Sequence, residues 1–472
     1  MATTIITRAE RHNLGINARK QLARSAQSAF NRKSCPSQPL HILHESMRGR
    51  VAPLVKLKYE RMAASPFGFF RGAVPIMAAD LAAHPNTGIT TQVCGDAHVL
   101  NLGAFAAPDG RLVFDINDFD ETIRAPFEWD VKRLATSLII AGRESGISRR
   151  SRRAAVAAFT ARYRQAMRGF AVMPVIELVH FQIHRLGQVG PVAAIMRQAE
   201  RSTPQHSLEK LTEPGISQTA HGTKYAHPAP PVARRFKSEP PLLQRVTGAE
   251  AQFVLDALIP YARTLAPERR HFFAQYHPID VAFKVVGTGS VGLRDYCVYF
   301  ESSIAVAAPS REMSGDQSPG RLHNKPVSDP LFLQIKEEPA SAYAAFLPDN
   351  ASVRAHNGHR VADGQRAMQL SSDPFLGYTS IDGRDYLVRQ LNDHKGSLDL
   401  TRLDAGSLSA YADLCGELLA RGHARAGDPV AIAAYLGNST RFDHAIIAFA
   451  RAYADKNSED WKALVKSLKK LK

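Results

Sequence analysis

Two stretches of the chain hold acids, amides and a histidine near enough in sequence to act together. Gly95-Asp96-Ala97-His98-Val99-Leu100-Asn101 sets a carboxylate five positions before an amide, on a polar bend leading into a strand. A carboxylate so placed can take a proton from a hydroxyl while a nearby amide oxygen holds a hard cation. The interval alone is common and better suits a polar turn in which Asn101 bonds the backbone. The run Asp115-Ile116-Asn117-Asp118-Phe119-Asp120-Glu121 changes the balance, because it crowds four carboxylates and an amide into seven residues. Like charges this close raise each other's pKa, and a bound Mg2+ is the usual remedy. A solvated acidic turn is the alternative. The run lacks the glycine and distal glutamate of an EF-hand, which disfavours calcium.

Further along, Gly287-Thr288-Gly289-Ser290-Val291-Gly292 fits G-x-G-x-x-G. A dinucleotide-binding turn would open a helix after the glycines. Here Leu293 to Phe300 reads as a strand, so the glycines sit at a hairpin tip, where their amides can cover phosphates or simply make a tight turn. Leu331 to Lys336 is an apolar strand ending in a lysine that can meet phosphate. Its acidic partner is open among Asp363, Gln365 and Glu337, with Asp363 preferred.

The elements that must hold these residues follow from periodicity. Short apolar runs at Thr90 to Cys94, Leu100 to Phe105 and Arg111 to Ile116, the last two separated by Ala107-Pro108-Asp109-Gly110, predict strands. Helical stripes at Trp129 to Gly142 and Arg152 to Phe170 follow. Residues 280 to 395 are strand-rich, with one helix at Arg360 to Ser371. Helical periods return at Ser407 to Ala424 and Asp443 to Leu471. Pro-rich stretches near 200 to 243 and 307 to 329 read as a linker and a surface loop.

Taken together, these residues resemble the protein-kinase-like superfamily, and most the aminoglycoside and choline type of small-molecule kinase. There H-G-D-x-H-x-x-N is followed by I-D-F and then D-P-x-x-D. Gly95-Asp96-Ala97-His98-Val99-Leu100-Asn101, Asn117-Asp118-Phe119 and Ala125 to Asp130 repeat that order, and Asp118 to Asp130 keeps the interval. The chain also resembles a bacterial family of unknown function over about residues 45 to 465. Its hallmarks here are Arg61 to Gly72, Gly95 to His98, Asn117 to Glu121, Val388 to Leu391 and His423 to Arg425. Two departures stand out. Cys94 replaces the usual histidine, and the glycine hairpin and lysine follow the catalytic loop instead of preceding it. A circular permutation reconciles the order, because Ser407 to His423 resembles the helix that leads into that loop.

The resemblance implies an α+β, two-lobed, circularly permuted protein-kinase-like fold with a mainly helical lobe and a small antiparallel sheet lobe. The expected division is a basic tail at 1–45, the catalytic-loop half of the helical lobe at 46–200, a Pro-rich linker and helical connection at 201–274, the nucleotide-binding sheet lobe at 275–395, and closing helices at 396–472. ATP and Mg2+ are the implied cofactors, with an unidentified hydroxyl acceptor. Asp96 and His98 are the candidate acid-base residues, and Asn101, Asp118 and Asp120 the metal ligands. Gly287, Gly289, Gly292, Lys336 and Asp363 would serve the nucleotide. Asp130, Arg71, Arg389, Lys395, His423 and Arg425 are supporting or acceptor-binding candidates.

Length and composition agree with that outline. A chain of 472 residues outgrows a single core, so two lobes and a cleft are expected. The net charge of +16 favours phosphorylated ligands, nucleic acid or anionic surfaces without choosing among them. Both basic ends, the first 33 residues and Lys466 to Lys472, read as solvated tails. Four scattered cysteines argue against zinc or a disulfide scaffold and for a reducing cytoplasm. No apolar run reaches the roughly 18 to 20 residues of a membrane span. The rival readings are a nucleotide-binding pseudokinase or scaffold and, third, a nucleic-acid binder, for which no recognised motif is present.

Overall fold

In a computed structural model of the chain, residues 6–31, 35, 38–201, 203–215, 234–285, 287–302, 306–307, 326–347, 356–391 and 398–470 are described. Five helices open it: α1 (Arg8–Gln21), α2 (Pro39–Glu45), α3 (Ala52–Ala63), α4 (Pro66–Gly72) and α5 (Val74–Ala82). Strands β1 (Thr90–Val93), β2 (Leu102–Ala106), β3 (Leu112–Ile116) and β4 (Ile123–Pro126) follow, then α6 (Glu128–Glu144), α7 (Arg149–Phe170), α8 (Val175–His180), α9 (Gly190–Glu200) and α10 (Pro204–Leu211). A short ladder of β5 (Thr212–Pro214) and β6 (Arg234–Phe236) leads to β7 (Leu243–Val246) and to α11 (Gly248–Asp256), α12 (Leu258–Thr264) and α13 (Pro267–Phe273). Next come β8 (Tyr276–Lys284), β9 (Asp295–Ser302), β10 (Val306–Ala307), β11 (Pro326–Val327), β12 (Pro330–Glu337), α14 (Asn357–Met368), β13 (Gly377–Ile381) and β14 (Arg384–Gln390). The chain closes with α15 (Ala405–Ala426), α16 (Pro429–Leu436) and α17 (Arg441–Lys470).

The architecture is mixed, about 55% helix and 16% strand, and the longer strands gather in one sheet. Its order is β13-β14-β12-β9-β8-β7, with every neighbouring pair antiparallel. β12 is buried along its whole length, which requires apolar residues in both phases of the strand. Leu331, Leu333 and Ile335 pack with Val254 and Tyr261 of α11 and α12, while Phe332 joins Ala282, Cys297 and Tyr299 on the other face. The period of two therefore aims Gln334 and Lys336 to the side of Phe332, away from α11 and α12.

The helical region uses both halves of the sequence. α7 buries Ala155, Phe159, Tyr163 and Met167 at helical spacing. Gly416 lets α15 press onto it, since a Cβ there would lie 2.3 Å from the Phe159 carbonyl oxygen. α17 closes over α6, with Lys132 4.8 Å from the Phe449 ring centre and Arg143 paired to Asp455 at 2.5 Å.

Three expectations need correction. The described residues of 1–45 do not form a tail: α1 carries a capping box between Thr7 and Glu10 and lies on α16, where a Cβ at Gly15 would stand 2.1 Å from the Ala431 carbonyl oxygen. Arg11 pairs with Asp428 at 2.9 Å. The far end is likewise folded, because α17 runs to Lys470 and buries Leu464 against Leu43 and Met62. Finally, the stretch 201–274, expected as a Pro-rich linker and helical connection, also enters the sheet, since β7 is its edge strand, and its helices α11 and α12 cover one face. Residues 216–233 and most of the expected loop at 307–329 lie outside the described residues. Among those described, no helix is long and apolar enough to cross a membrane.

Candidate functional site

The loop after β1 is fixed from below. Gly95 has φ +81°, and a Cβ on it would come within 2.2 Å of the Glu121 carbonyl oxygen, so the loop and the acidic run touch at a position that only glycine fits. Asp130, in the first turn of α6, accepts hydrogen bonds from the Cys94 and Gly95 amides at 2.8 and 3.0 Å. His423 Nε2 stands 3.2 Å from the same carboxylate, and its Nδ1 is 2.8 Å from the Tyr163 hydroxyl. Asn101 then stitches the loop to the acids. Its amide donates to the Asp96 and Asp118 carbonyls, both at 2.9 Å, and its oxygen accepts from the Asp118 amide at 2.7 Å.

Asp96 faces a buried guanidinium. Arg133 Nε donates to Asp96 Oδ1 at 2.7 Å, and the same side chain bonds the Phe70 carbonyl at 3.1 Å and lies over the Phe70 ring. His98 Nε2 is 3.7 Å from Asp96 Oδ2, beyond a hydrogen bond. The ring is only 4% exposed, and its Nδ1 accepts from the Leu100 amide. Burial pushes its pKa down to about 4, despite the opposing Asp96 charge. At neutral pH His98 is therefore an uncharged ring packed edge-on to Phe67, which makes it a poorer proton carrier than its position in sequence implied.

From the sheet side, Lys336 reaches the acidic run. It is 2% exposed, donates to both oxygens of Asp120 and lies 3.6 Å from Asp118 Oδ1. Burial opposes its charge, but the Asp118, Asp120 and Glu338 carboxylates more than offset this and hold it above the usual lysine range. Burial and the Asp118 charge push Asp120 up to about 6 against the pull of Lys336. The glycine hairpin joins the same point: Ser290 Oγ donates to Asp120 Oδ2 at 2.9 Å. α3 and the turn before it hold the hairpin through Lys58 to the Gly289 carbonyl, Arg50 to the Val291 carbonyl and the Val51 amide to the Gly292 carbonyl. Gly292 has φ +89°, and a Cβ on Gly287 would lie 3.5 Å from the Arg71 guanidinium.

Four residues of this cleft went unrecognised in the sequence: Arg133, Lys58, Arg360 and Glu338. Arg360 of α14 donates to the Thr122, Asp120 and Pro339 carbonyls at 2.6, 3.0 and 2.9 Å, pinning the acidic run to the end of β12. Glu338 is 2% exposed, and neither carboxylate oxygen accepts a hydrogen bond from the described residues. Burial and then the Asp120 charge push its pKa well up. Its place two residues beyond Lys336, just past the end of β12, was the available signal.

Several expected roles are corrected. Asp363 does not serve Lys336: it pairs with His359 and Arg366 of its own helix, at 3.5 and 3.6 Å. Glu337 points the other way, to Arg294 and Arg384, and Gln365 bonds Gln369. His423 is fully buried behind the loop, so it supports Asp130 and meets no acceptor. Arg425 donates to the Val179 carbonyl of α8. Arg389 spans the cleft, bonding Gln334 at 3.0 Å and the Asn117 carbonyl at 3.1 Å. Lys395 lies outside the described residues.

The crowded acids are also relieved more locally than expected. Asp115 pairs with Arg421, and Glu121 accepts from the Ala342 amide at 2.7 Å. Among the described residues, no three His, Cys, Asp or Glu side chains converge as a protein-only metal cage. Mg2+ does not need one, because it is commonly held by one or two carboxylates together with phosphate oxygens and water. Asp118, 46% exposed and 3.6 Å from Lys336, fits that manner of binding.

Neither the curated proteins nor the solved structures yield a match. A family model does match, over residues 50–307 and 321–467, which includes every residue of the cleft described above. The chain belongs to the family described as an uncharacterized protein conserved in bacteria, DUF2252.

Proposed function

We propose that the chain is a Mg-ATP-dependent phosphotransferase of circularly permuted, kinase-like architecture acting on a hydroxyl acceptor. The observation that carries this reading is the meeting of Lys336 with Asp118 and Asp120, the latter 216 positions away in sequence, at the point where Ser290 of the glycine hairpin also bonds. In this reading Lys336 and the hairpin amides hold phosphates, Asp118 and Asn101 serve the metal, and Asp96 orients or deprotonates the acceptor. Bound with the nucleotide, Mg2+ supplies neutralisation of phosphate charge. The end of α15 abuts the strand entering the loop, with the His423 carbonyl accepting from Thr91 Oγ1 at 3.1 Å, which supports the permutation.

The Asp96–Arg133 pair favours a second reading, a nucleotide-binding pseudokinase, because a carboxylate oxygen already occupied by a buried guanidinium is less free to meet an acceptor hydroxyl. One experiment in two stages separates them. Mg-ATP should raise the melting temperature of the wild type, with saturation at a hundredfold excess over Kd worth about 2.7 kcal/mol, and raise Asp118→Ala and Lys336→Ala much less. Equal stabilisation of all three would remove the nucleotide site. At equal folded concentration, Asp96→Asn should then lower autophosphorylation or slow ATP hydrolysis by roughly 10² to 10⁴. A wild type that binds Mg-ATP without turnover on a broad acceptor panel is a pseudokinase.

A further inference from the structure

On the helical region, α1, the end of α7 and α16 enclose an open groove of about 1280 Å3. Among the described residues, its lining includes Arg8, Arg19, Arg24 and Arg168 and no carboxylate. Arg19 and Arg24 each donate to a carbonyl at the end of α16, Tyr435 at 3.0 Å and Leu436 at 2.7 Å, which fixes two guanidiniums side by side. Gly437 makes room for them, since a Cβ there would stand 2.6 Å from Arg24 Nη1 and 3.0 Å from Arg19 Nη2. Burial and then the neighbouring charges of Arg19 and Arg441 hold Arg24 below its usual range, an unfavourable state that a bound anion relieves.

The rim of this groove is aliphatic. Val172 lines it and is exposed, and three residues on the chain enters α8, where Val175 is 79% exposed, Ile176 64% exposed and Val179 exposed. Glu177 is on the same helix. Four exposed β-branched side chains within eight residues, next to a carboxylate-free arginine groove, combine apolar contact with positive charge. Protein interfaces are enriched in aromatic residues at such centres, and the described rim from Val172 to Val179 has none. A second copy of the chain would bring groove to groove at a net charge of +16 each, which opposes self-association.

We propose that this face docks on an anionic lipid bilayer, with Val172, Val175, Ile176 and Val179 entering the interface and the groove arginines taking lipid phosphate groups. The site is separate from the cleft of Lys336 and Asp118, so the two readings stand or fall independently. Salt weakens the charged part of such docking and leaves the apolar part.

The test is sedimentation of the full chain with phosphatidylglycerol-rich vesicles and with pure phosphatidylcholine vesicles. The anionic vesicles should capture it and the zwitterionic ones should not. Arg8→Glu with Arg168→Glu, both exposed, should weaken capture by at least roughly tenfold. Val175→Ser with Ile176→Ser should weaken it by about tenfold without any change of charge. Arg149→Glu with Arg150→Glu, exposed at the other end of α7, makes the same charge change away from the groove and should have a much smaller effect. Equal losses in the two arginine pairs, or no loss with the serine pair, would overturn the proposal by reducing it to bulk charge. Binding of inorganic tripolyphosphate in calorimetry by a protein that ignores both vesicles would overturn it in favour of a soluble phosphate ligand.

Discussion

Two buried titratable groups beside the cleft make opposite demands on protons. Asp295 of β9 is pushed by burial from 3.8 up to about 6, with Lys336 pulling against the shift. Between about pH 4 and 6 the folded chain keeps a proton that the unfolded chain has released, so this group lowers stability as pH rises. His98, pushed by burial from 6.5 down to about 4, does the reverse: the unfolded chain takes up a proton that the folded one refuses, so stability rises with pH across that window. Urea unfolding from pH 4 to 7 should therefore show Asp295→Asn gaining on the wild type by up to about 2 to 3 kcal/mol as pH rises, and His98→Gln losing ground over the same range. Parallel curves would refute both assignments. At this scale the sequence revealed residues that come in runs, such as Asp96 to Asn101 and Asp115 to Glu121. It hid Arg133, Lys58, Arg360 and Glu338, lone charges whose burial and partners depend on tertiary contacts. Asp363 was misplaced for a related reason: the direction of its side chain depends on the phase of α14 against the sheet, which residue type does not determine.

Elements were more legible than their joins. The stripes of α6, α7, α15 and α17, and the strands β9 and β12, appear where period and turn residues placed them, within a few residues. The pairing of β1 with β4 and the docking of β7 on the sheet edge were not readable, because partner choice is a long-range matter. Gly95 is where such a join becomes testable. It lies between β1 and β2, carries φ +81° and leaves no space beneath the Glu121 carbonyl. Gly95→Ala should cost about 3 kcal/mol or more, through left-handed strain and the clash together. Gly110, with φ +78° and nothing near its Cβ position, provides the comparison: Gly110→Ala should lose only about 1 kcal/mol. Equal losses in chemical denaturation would mean that the contact with Glu121 contributes nothing.

For the whole molecule, composition and length pointed to more than one core, and separate buried clusters are found. Charge was a poor guide to where the chain folds. The basic start looked like a solvated tail, yet α1 is seated on α16 because small residues at Gly15 and Ala18 let it approach. Gly15→Leu should destabilise the protein by about 1 to 3 kcal/mol in a thermal or urea melt. A tail would tolerate it without change. The same arrangement sets an order of events during synthesis. α7 emerges early but packs against α15, and α6 is covered by α17, so the first half of the helical region stays incomplete until the last helices arrive. Contacts of this sequence separation are slow to form and leave apolar faces exposed in the interval. A chain interrupted before α15 would carry the acidic run, the glycine hairpin and Lys336 in its sequence without the scaffold that brings them together. Synthesis through α17 is thus a condition for the cleft to exist, and a product cut before α15 should expose apolar faces that chaperones and proteases recognise.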